Sequence, residues 1–334
     1  MELLKKLTDA YGMPGWEGEI RAVIEEELSG IADVISVDRL GNLIAVKNPD
    51  SKGKHVVLSS HMDEPGLMVK SIDSGGFIRF MSWDLDKRML PAKLVRVGEK
   101  KTLGIIGIKP VHTLKPDEKQ SYLETTQLYI DIGANSKEEA AKLVSVGEYV
   151  GLEVEFAPFG EEKVVGRALE SRVGCAAILH ALQSEECTAG KKITAVFCAQ
   201  KLTGMRGSTV VANDLRADIV INVDGVCCED NDARPGAISA GRGPAIVRKD
   251  LSAIYPKAYS EAAQNVAIQK KIPWQMLVGS SEKSDSGSFQ TGGIGIPVAG
   301  ISVPIKYART PAAMLEMSDY KNTVNLLKEY LAQM

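Results

Sequence analysis

The sequence predicts an α/β protein whose mixed sheet domain is interrupted by an inserted β-barrel. Helical periodicity alternates with short apolar runs at both ends of the chain, as is typical of α/β domains. In the stretch 67–163, apolar and polar residues instead alternate in short runs that glycine and proline interrupt. This pattern is typical of the strands of a small β-barrel or sandwich. A length of 334 residues allows two domains. We therefore predict an α/β domain of residues 1–66 plus 164–334 and a barrel domain of residues 67–163.

The first domain segment begins with helices and continues with strands. Residues 2–11 and 18–29 have apolar positions at helical spacing, and a turn with glycine and proline separates them. Residues 34–47 read as two strands around a turn. The run HVVLSS at 55–60 suits a buried strand, and HMDEPG follows at its carboxyl end. Ligand sites of α/β sheets collect at such ends.

The remaining elements follow from capping and apolar runs. Within the insertion we predict a helix at 136–144, because Ser136 suits the N-cap and Glu139 follows three residues later. From residue 164, helical and strand patterns alternate again. There we predict a helix after Ser171, strands at 192–198, 219–223 and 297–303, and helices at 259–270 and from 318 onward.

Composition excludes several classes of partner and location. The net charge of −3 gives the chain no excess of positive charge with which to bind phosphates, so we expect no nucleic acid partner. No apolar run approaches the roughly 18–20 residues that cross a bilayer, so we expect no membrane partner. The amino terminus lacks the pattern of a signal peptide. The five cysteines are an odd number in a large chain, which favours a reducing cytoplasm.

Polar residues at predicted strand ends suggest a chemical site. His61 and Asp63 are two positions apart after a strand and share a face. A neutral imidazole can bind a metal through one nitrogen while the other donates to a carboxylate, although a surface or capping role fits too. Asp224 ends the run IVINVD and needs a metal, a cation or backbone donors, unless it caps the next segment. Glu170 precedes Ser171, which suits a helix N-cap.

Longer strings around these residues resemble the tetrahedral aminopeptidases, also called deblocking, glutamyl or cellulase-M-like aminopeptidases, of metallopeptidase family forty-two. The similarity covers nearly the whole chain. It is carried by DRLGNLIA at 38–45, SSHMDEPGLMV at 59–69, LPAKLVRV at 90–97, GIIGIKPVHTLKP at 104–116, LYIDIGANSKEEA at 128–140, GRALESRVGCAAIL at 166–179 and SDSGSFQTGGIGIPVAGISVPIKYARTP at 284–311.

The resemblance implies a fold, an activity and an assembly. The fold is a zinc-peptidase-like α/β catalytic domain with a mixed central sheet, interrupted by a β-barrel that drives dimerisation. Members of the family remove N-terminal residues from peptides with two zinc or cobalt ions, and they often build twelve-subunit tetrahedra from dimers. For this chain we therefore expect a homodimer that builds a higher oligomer, up to a dodecamer, and a peptide or small ligand as partner.

The family's first metal site is largely present. By resemblance, His61 stands at the first-site histidine and Asp63 at the carboxylate that orients it. Asp224 stands at the first-site carboxylate. Glu170 replaces the bridging aspartate, with the same charge and one extra methylene. Asp285 retains the aspartate of the family's Thr-Asp-Ala string, where Ser284 stands for the threonine, and it is assigned to the pocket.

The second metal site and the base are replaced. The family's Gln-Glu-Glu-x-Gly-x-Arg-Gly string falls on residues 200–207, and Arg206 retains its arginine as a pocket residue. Lys201 stands at the position of the catalytic base and Leu202 at that of the second-site carboxylate. Arg309 stands at the C-terminal ligand histidine. Leucine cannot ligate a metal and arginine stays protonated, so the second site has lost both of its own ligands.

These replacements predict a weak or inactive enzyme. A bimetallic mechanism needs two ions about 3.5–4 Å apart, and loss of the base costs a further 10²–10⁴-fold, roughly. One hypothesis is that Lys201 and Arg309 replace the second metal and pair with Glu170 and Asp224; the alternative is drift, with these side chains in solvent.

The same residues leave the metal content and the function open. One divalent metal on His61, Glu170 and Asp224 is one prediction, and no metal is the other, since the two new cations repel a third. The first functional hypothesis is a non-catalytic member that binds a peptide or assembles with an active paralogue. The second is a residual single-metal peptidase or hydrolase.

Overall fold

The computed structural model describes residues 1–113, 124–228, 236–279 and 282–334. The last three residues of the string at 104–116 therefore lie outside the described residues. The described chain divides into two compact units. The first comprises Met1–Glu64, Phe156–Ala308 and Ala313–Met334, and the second comprises Pro65–Glu155 and Arg309–Ala312.

The first unit is built on an eleven-stranded sheet. Four neighbouring strands at its centre run parallel, and antiparallel strands flank them, so the sheet is mixed. The order along the main path is β1-β2-β12-β3-β13-β16-β17-β11-β10, with β14 and β15 attached at β16. Numbered in chain order, its strands are β1 (Val34–Val37), β2 (Leu43–Lys47), β3 (His55–His61), β10 (Ala157–Pro158), β11 (Lys163–Gly166), β12 (Lys192–Cys198), β13 (Ile219–Cys227), β14 (Ala245–Lys249), β15 (Gln275–Val278), β16 (Val298–Lys306) and β17 (Ala313–Glu316).

Helices cover the sheet of the first unit. They are α1 (Glu2–Asp9), α2 (Gly18–Leu28), α4 (Leu169–Leu182), α5 (Glu185–Thr188), α6 (Arg206–Asp214), α7 (Lys257–Gln269), α8 (Ser286–Thr291) and α9 (Met317–Ala332), while α3 (Lys137–Leu143) lies in the second unit. Helix α4 packs against β3 and β13 in a core of aliphatic side chains. Gly174 permits this approach, because a Cβ at that position would lie 2.0 Å from the carbonyl oxygen of Val223. In the described part of the chain, no helix is both long and apolar enough to cross a membrane.

The second unit contains a closed barrel of antiparallel strands in the order β4-β5-β8-β7-β6-β9. Alternate side chains fill it: Val95 and Val97 are buried, whereas Leu94 is exposed. Ser136 caps α3, as its Oγ accepts the Glu139 N–H at 3.2 Å. The strands are β4 (Gly66–Ile72), β5 (Ile78–Trp83), β6 (Leu94–Val97), β7 (Thr102–Ile108), β8 (Leu128–Asp131) and β9 (Tyr149–Leu152). The predicted fold class, a mixed α/β sheet domain with a β-barrel, is confirmed.

Three local expectations differ from the structure. Helix α4 starts at Leu169, because Ala168 takes a left-handed conformation with φ of 57° and places Ser171 inside the first turn. Strand β13 continues to Cys227, because its pairing with β16 continues past Asp224. Residues 156–163 cluster with the first unit, because β10 and β11 join its sheet.

Candidate functional site

Three of the predicted site residues, His61, Lys201 and Asp224, meet at the carboxyl ends of parallel strands in the first unit. Strand β3 lies between β12 and β13 and runs parallel to both. His61 is the last residue of β3, and Lys201 follows β12 by three positions. Asp224 lies within the last part of β13. Three adjacent parallel strands therefore deliver these side chains to one edge of the sheet.

Asp63 connects His61 to the loop after β12. Its Oδ1 lies 3.3 Å from His61 Nδ1 and accepts the Lys201 N–H at 3.0 Å. Its Oδ2 accepts the Leu202 N–H at 2.8 Å. Burial by itself would raise the pKa of Asp63, but the contact with His61 and the two backbone donors hold it below its ordinary value. Asp63 is thus an ionised acceptor that positions both a ring and a loop.

The Lys201 ammonium lies between His61 and Asp224. Its Nζ is 3.1 Å from His61 Nε2 and 3.8 Å from Asp224 Oδ2, and its side chain is 9% exposed. Burial opposes the charged lysine, but Asp224 and then Glu170 outweigh it and raise the pKa of Lys201 above its ordinary value. Lys201 is therefore charged at neutral pH. An ammonium only donates, so in the 3.1 Å contact His61 Nε2 accepts and the ring carries its proton on Nδ1 toward Asp63. Burial and the charge of Lys201 oppose a second ring proton, but Asp224 and Asp63 outweigh them and raise the pKa of His61 above its ordinary value.

Two neighbours that sequence reasoning missed hold Asp224. Its Oδ1 accepts the Ser60 hydroxyl at 3.0 Å, and its Oδ2 accepts the Asn222 amide at 2.9 Å. Asn222 lies two positions earlier on the same strand and so shares its face. That period-two spacing was the available signal for Asn222, whereas Ser60 comes from the adjacent strand.

Glu170 and Asp285 add negative charge to this region. Glu170 lies in the first turn of α4 and is buried. Asp285 is fully buried, and its Oδ1 accepts the Ser208 hydroxyl at 2.5 Å. Burial, followed by the charge of Asp224, raises the pKa of Asp285 to about 6, although Lys201 opposes this. The carboxylates around Lys201 thus outnumber the charged lysine.

Arg206 and Arg309 are two further residues that the sequence assigned to the site. Arg206 begins α6, is exposed, and donates from Nε to the Thr203 carbonyl at 3.2 Å. Arg309 belongs to the second unit, where its Nε lies 3.6 Å from Asp84 Oδ1. The pairing of Arg309 with the carboxylates of the site stays a prediction.

Glu17 supports the loop that carries Lys201. Its Oε1 accepts the Gly15 N–H and the Gln200 N–H, both at 2.9 Å. Gln200 has a left-handed φ of 56°, so this hydrogen bond helps to hold an uncommon backbone conformation. Burial raises the pKa of Glu17 to about 7 against the effect of its backbone donors. Sequence reasoning missed Glu17, because its partner in the loop is 183 positions away.

Glu64 of the HMDEPG segment is the centre of a buried ion-pair cluster. Glu64 accepts the Gly12 N–H at 2.7 Å and Arg172 Nη2 at 3.1 Å, and it also pairs closely with Arg167. All three charged side chains are buried. Arg167 also stacks on Tyr11, with its guanidinium carbon 3.9 Å from the ring centroid. The cluster anchors the amino-terminal segment to the strand end that carries His61.

A small polar cavity adjoins Lys201 in the first unit. Its volume is about 30 Å³, which holds one or two water molecules. Asp250 lies on its wall and accepts hydrogen bonds from Tyr255 OH at 2.8 Å and from Ser284 Oγ at 2.6 Å. Lys201 and Asp224 lie on the same wall. This cavity suits ordered water between fixed polar groups rather than a peptide side chain.

Comparison with known proteins identifies the class of this fold and site. The profile of the M42 glutamyl aminopeptidase family matches residues 41–326. This chain therefore belongs to the M42 glutamyl aminopeptidase family.

Relatives and solved structures agree with this assignment. A protein of Acetivibrio thermocellus that carries an aminopeptidase name is 37% identical over 98% of this chain and 97% of its own length. The TET aminopeptidase of a marine sediment Thaumarchaeota archaeon superposes with a TM-score of 0.95 at 28% identity, over 100% of this chain and 97% of that one. The TET1 peptidase of Pyrococcus horikoshii, which can assemble into a tetrahedron or a large octahedral shell, has a TM-score of 0.88 at 30% identity, over 98% of both chains.

The residues present do not fit the divalent metal that this family uses. Among the described residues, no three or more His, Cys, Asp and Glu side chains are grouped so as to hold a metal ion. Two of the three predicted donors, His61 and Asp224, instead face the Lys201 ammonium. An imidazole lone pair that accepts from lysine is not available to a metal. The site on His61, Glu170 and Asp224 therefore stays a prediction that this side-chain arrangement disfavours.

Proposed function

We propose that this chain is an aminopeptidase-family protein with a catalytically impaired or inactive centre. The position of the Lys201 ammonium carries the proposal, because it lies where the family's base is expected and contacts His61 Nε2 at 3.1 Å. A general base must accept a proton from the attacking water. Buried carboxylates raise the pKa of Lys201, so the ammonium that contacts His61 keeps its proton and cannot accept another.

The neighbouring residue gives independent support. Leu202 contributes only its backbone N–H, which donates to Asp63 Oδ2 at 2.8 Å. Its aliphatic side chain has no lone pair for a metal. With lysine at the family's base position and leucine at the second carboxylate, the centre lacks the two groups that the family uses there. This loss supports a catalytically impaired or inactive centre.

We further propose that the chain binds a peptide or small ligand and assembles as a homodimer that builds a larger particle, up to a dodecamer. The closed barrel and the similarity to a peptidase that forms tetrahedral and octahedral shells support this assembly. Co-assembly with an active paralogue would give a non-catalytic subunit a role. The structure describes all five cysteines and joins none of them in a disulfide, which supports a cytoplasmic location.

The decisive experiment is a hydrolysis assay on the purified chain. A panel of aminoacyl-p-nitroanilides is incubated with the protein and zinc, cobalt or manganese, and the TET1 peptidase of Pyrococcus horikoshii serves as the positive control. We expect no turnover above the blank. Turnover that the variant His61→Ala abolishes would contradict the proposal and support the second candidate, a residual single-metal hydrolase.

A further inference from the structure

The residues at the first metal site, and not only those at the second, do not suit the metal ions that the family uses. His61 and Asp224, which the resemblance assigns to the first metal, both face Lys201 Nζ. We propose that the Lys201 ammonium takes the place of the first metal ion as a tethered cation, so that the folded centre excludes a divalent metal and needs none. This inference rests on the family assignment and on geometry, and it does not require the chain to be inactive.

The contacts of Lys201 are those of a hydrogen-bonding cation. An ammonium has three N–H donors and no acceptor. The 3.1 Å distance to His61 Nε2 suits an N–H···N hydrogen bond, whereas a zinc–nitrogen bond is about 2.0–2.1 Å long. Asp224 Oδ2 at 3.8 Å is an ion-pair partner of the same group. The Lys201 ammonium therefore lies where the lone pairs of His61 Nε2 and Asp224 Oδ2 would otherwise bind a metal ion.

The backbone around Lys201 holds this arrangement in place. Asp63 accepts the N–H groups of Lys201 and Leu202 at 3.0 and 2.8 Å. Glu17 accepts the N–H of Gln200 at 2.9 Å. Three consecutive backbone donors are thus tied to buried carboxylates, and the lysine side chain emerges toward the site. If it rotated away, the His61 ring would lose its partner on Nε2 inside the protein, which is costly.

The charge balance favours one fixed cation over two. Asp224 and Glu170 are buried near Lys201 and would repel each other if no cation lay between them. One ammonium compensates part of this charge. A divalent ion beside the ammonium would meet strong repulsion at close range, since both are buried. The sequence analysis offered Lys201 together with Arg309 as a replacement for the second metal and left the metal content of the first site open. In the structure Lys201 contacts His61 and Asp224, the two residues assigned to the first metal.

The first test uses the unmodified protein. It is purified, equilibrated with zinc and dialysed, and its metal content is measured by plasma mass spectrometry. Unfolding temperatures are recorded with added zinc and with EDTA. We expect far less than one zinc per chain and the same unfolding temperature under both conditions. One zinc per chain that His61→Ala removes would overturn the proposal, and this measurement requires no Lys201 variant to fold.

The second test opens the site. Lys201→Met removes the charge at nearly constant length, and Lys283→Met makes the same change at an exposed lysine on the wall of the adjacent cavity. We expect Lys201→Met to gain zinc binding at least tenfold over the unmodified chain, with a zinc-dependent rise in unfolding temperature that a second change, His61→Ala, removes. Lys283→Met is expected to gain nothing. Equal zinc binding by the two lysine variants would contradict the proposal.

The two proposals fail in different ways. Turnover by a zinc-free, EDTA-treated protein would contradict catalytic impairment and leave the tethered cation standing. Stoichiometric zinc in an inactive protein would do the reverse. The combination we expect is a protein that lacks both zinc and turnover.

Discussion

Buried carboxylates that accept backbone N–H groups set the geometry of this centre at the scale of single residues. Asp63 and Glu17 together hold three consecutive N–H groups of the loop that carries Lys201. Asp63 was predictable, because it lies in a string that the family shares. Glu17 was not, because a carboxylate and a loop far apart in sequence meet only through the fold. The contact between Lys201 and His61 was hidden for the same reason.

Glu17 should make stability depend on pH. Its pKa is raised from 4.5 to about 7 in the folded protein. Between these values the folded state keeps a proton that the unfolded chain releases, so stability falls as pH rises from about 4.5 to about 7 and levels off above. Glu17→Gln keeps the Oε1 acceptor and removes the titration. We expect the variant to be more stable than the unmodified protein at pH 8, by up to about 3 kcal/mol, in urea unfolding.

The control for this experiment removes the acceptor as well. Glu17→Ala leaves the N–H groups of Gly15 and Gln200 without their carboxylate, so it should destabilise the protein at pH 4.5, where Glu17→Gln should be nearly neutral. A pH profile of Glu17→Gln parallel to that of the unmodified protein would show that Glu17 does not titrate in this window.

Glu64 should be costly to neutralise. It is buried with Arg167 and Arg172, so Glu64→Gln leaves two buried guanidinium groups without a compensating charge. We expect a loss of about 3–5 kcal/mol in unfolding free energy. Glu27→Gln is the matched control, because Glu27 pairs with Lys6, whose side chain is 49% exposed. The control should cost less than about 1 kcal/mol, and equal losses would refute the role of the buried cluster.

At the scale of elements, the contact between α4 and β13 places two site residues. Glu170 lies in the first turn of the helix and Asp224 lies in the strand against which the helix packs. The sequence predicted both elements from their apolar patterns. It misplaced the start of α4, because propensity favours Ser171 as a cap while the left-handed Ala168 starts the helix earlier. Tertiary packing overrode a local signal at this point.

Gly174 is the residue on which this packing depends. A Cβ there would meet the Val223 carbonyl oxygen at 2.0 Å and Ser60 Oγ at 2.3 Å, so the helix would have to move away from the sheet. We expect Gly174→Ala to destabilise the protein by more than about 2 kcal/mol in chemical unfolding. Gly18→Ala, in α2, has only an arginine side chain 3.9 Å from the added carbon. It should be neutral or stabilising by up to about 1 kcal/mol, so similar losses would exclude the steric explanation.

At the scale of the whole molecule, the periodicity of apolar residues along the sequence predicted the fold class. The short alternating strands of the insertion differ plainly from the helical periodicity on either side of it. The family strings predicted which residues form the site, and the structure brings three of them, His61, Lys201 and Asp224, into contact. The strings could not show that Lys201 reaches the first metal site. Its position depends on the backbone hydrogen bonds that hold its loop, and residue type does not reveal them.

The outer face of the barrel should contribute to assembly. Leu94 and Ile105 are opposite each other on β6 and β7, and both are exposed, as is Leu103. We expect light scattering to give a mass well above the 36.0 kDa of one chain, and Ile105→Glu to shift the protein toward smaller species. Ile268→Glu, at an exposed site on α7, is the control and should leave the mass unchanged. A single chain in solution at micromolar concentration would contradict this assembly.

The insertion of the barrel between strands of the sheet also bears on how the chain acquires its structure during synthesis. All six barrel strands lie between Gly66 and Leu152, so the barrel closes with local partners. Strand β3 must wait for β12 and β13, which begin at Lys192 and Ile219. We therefore expect a nascent chain to close the barrel first, while β3 still awaits the two strands that flank it in the sheet.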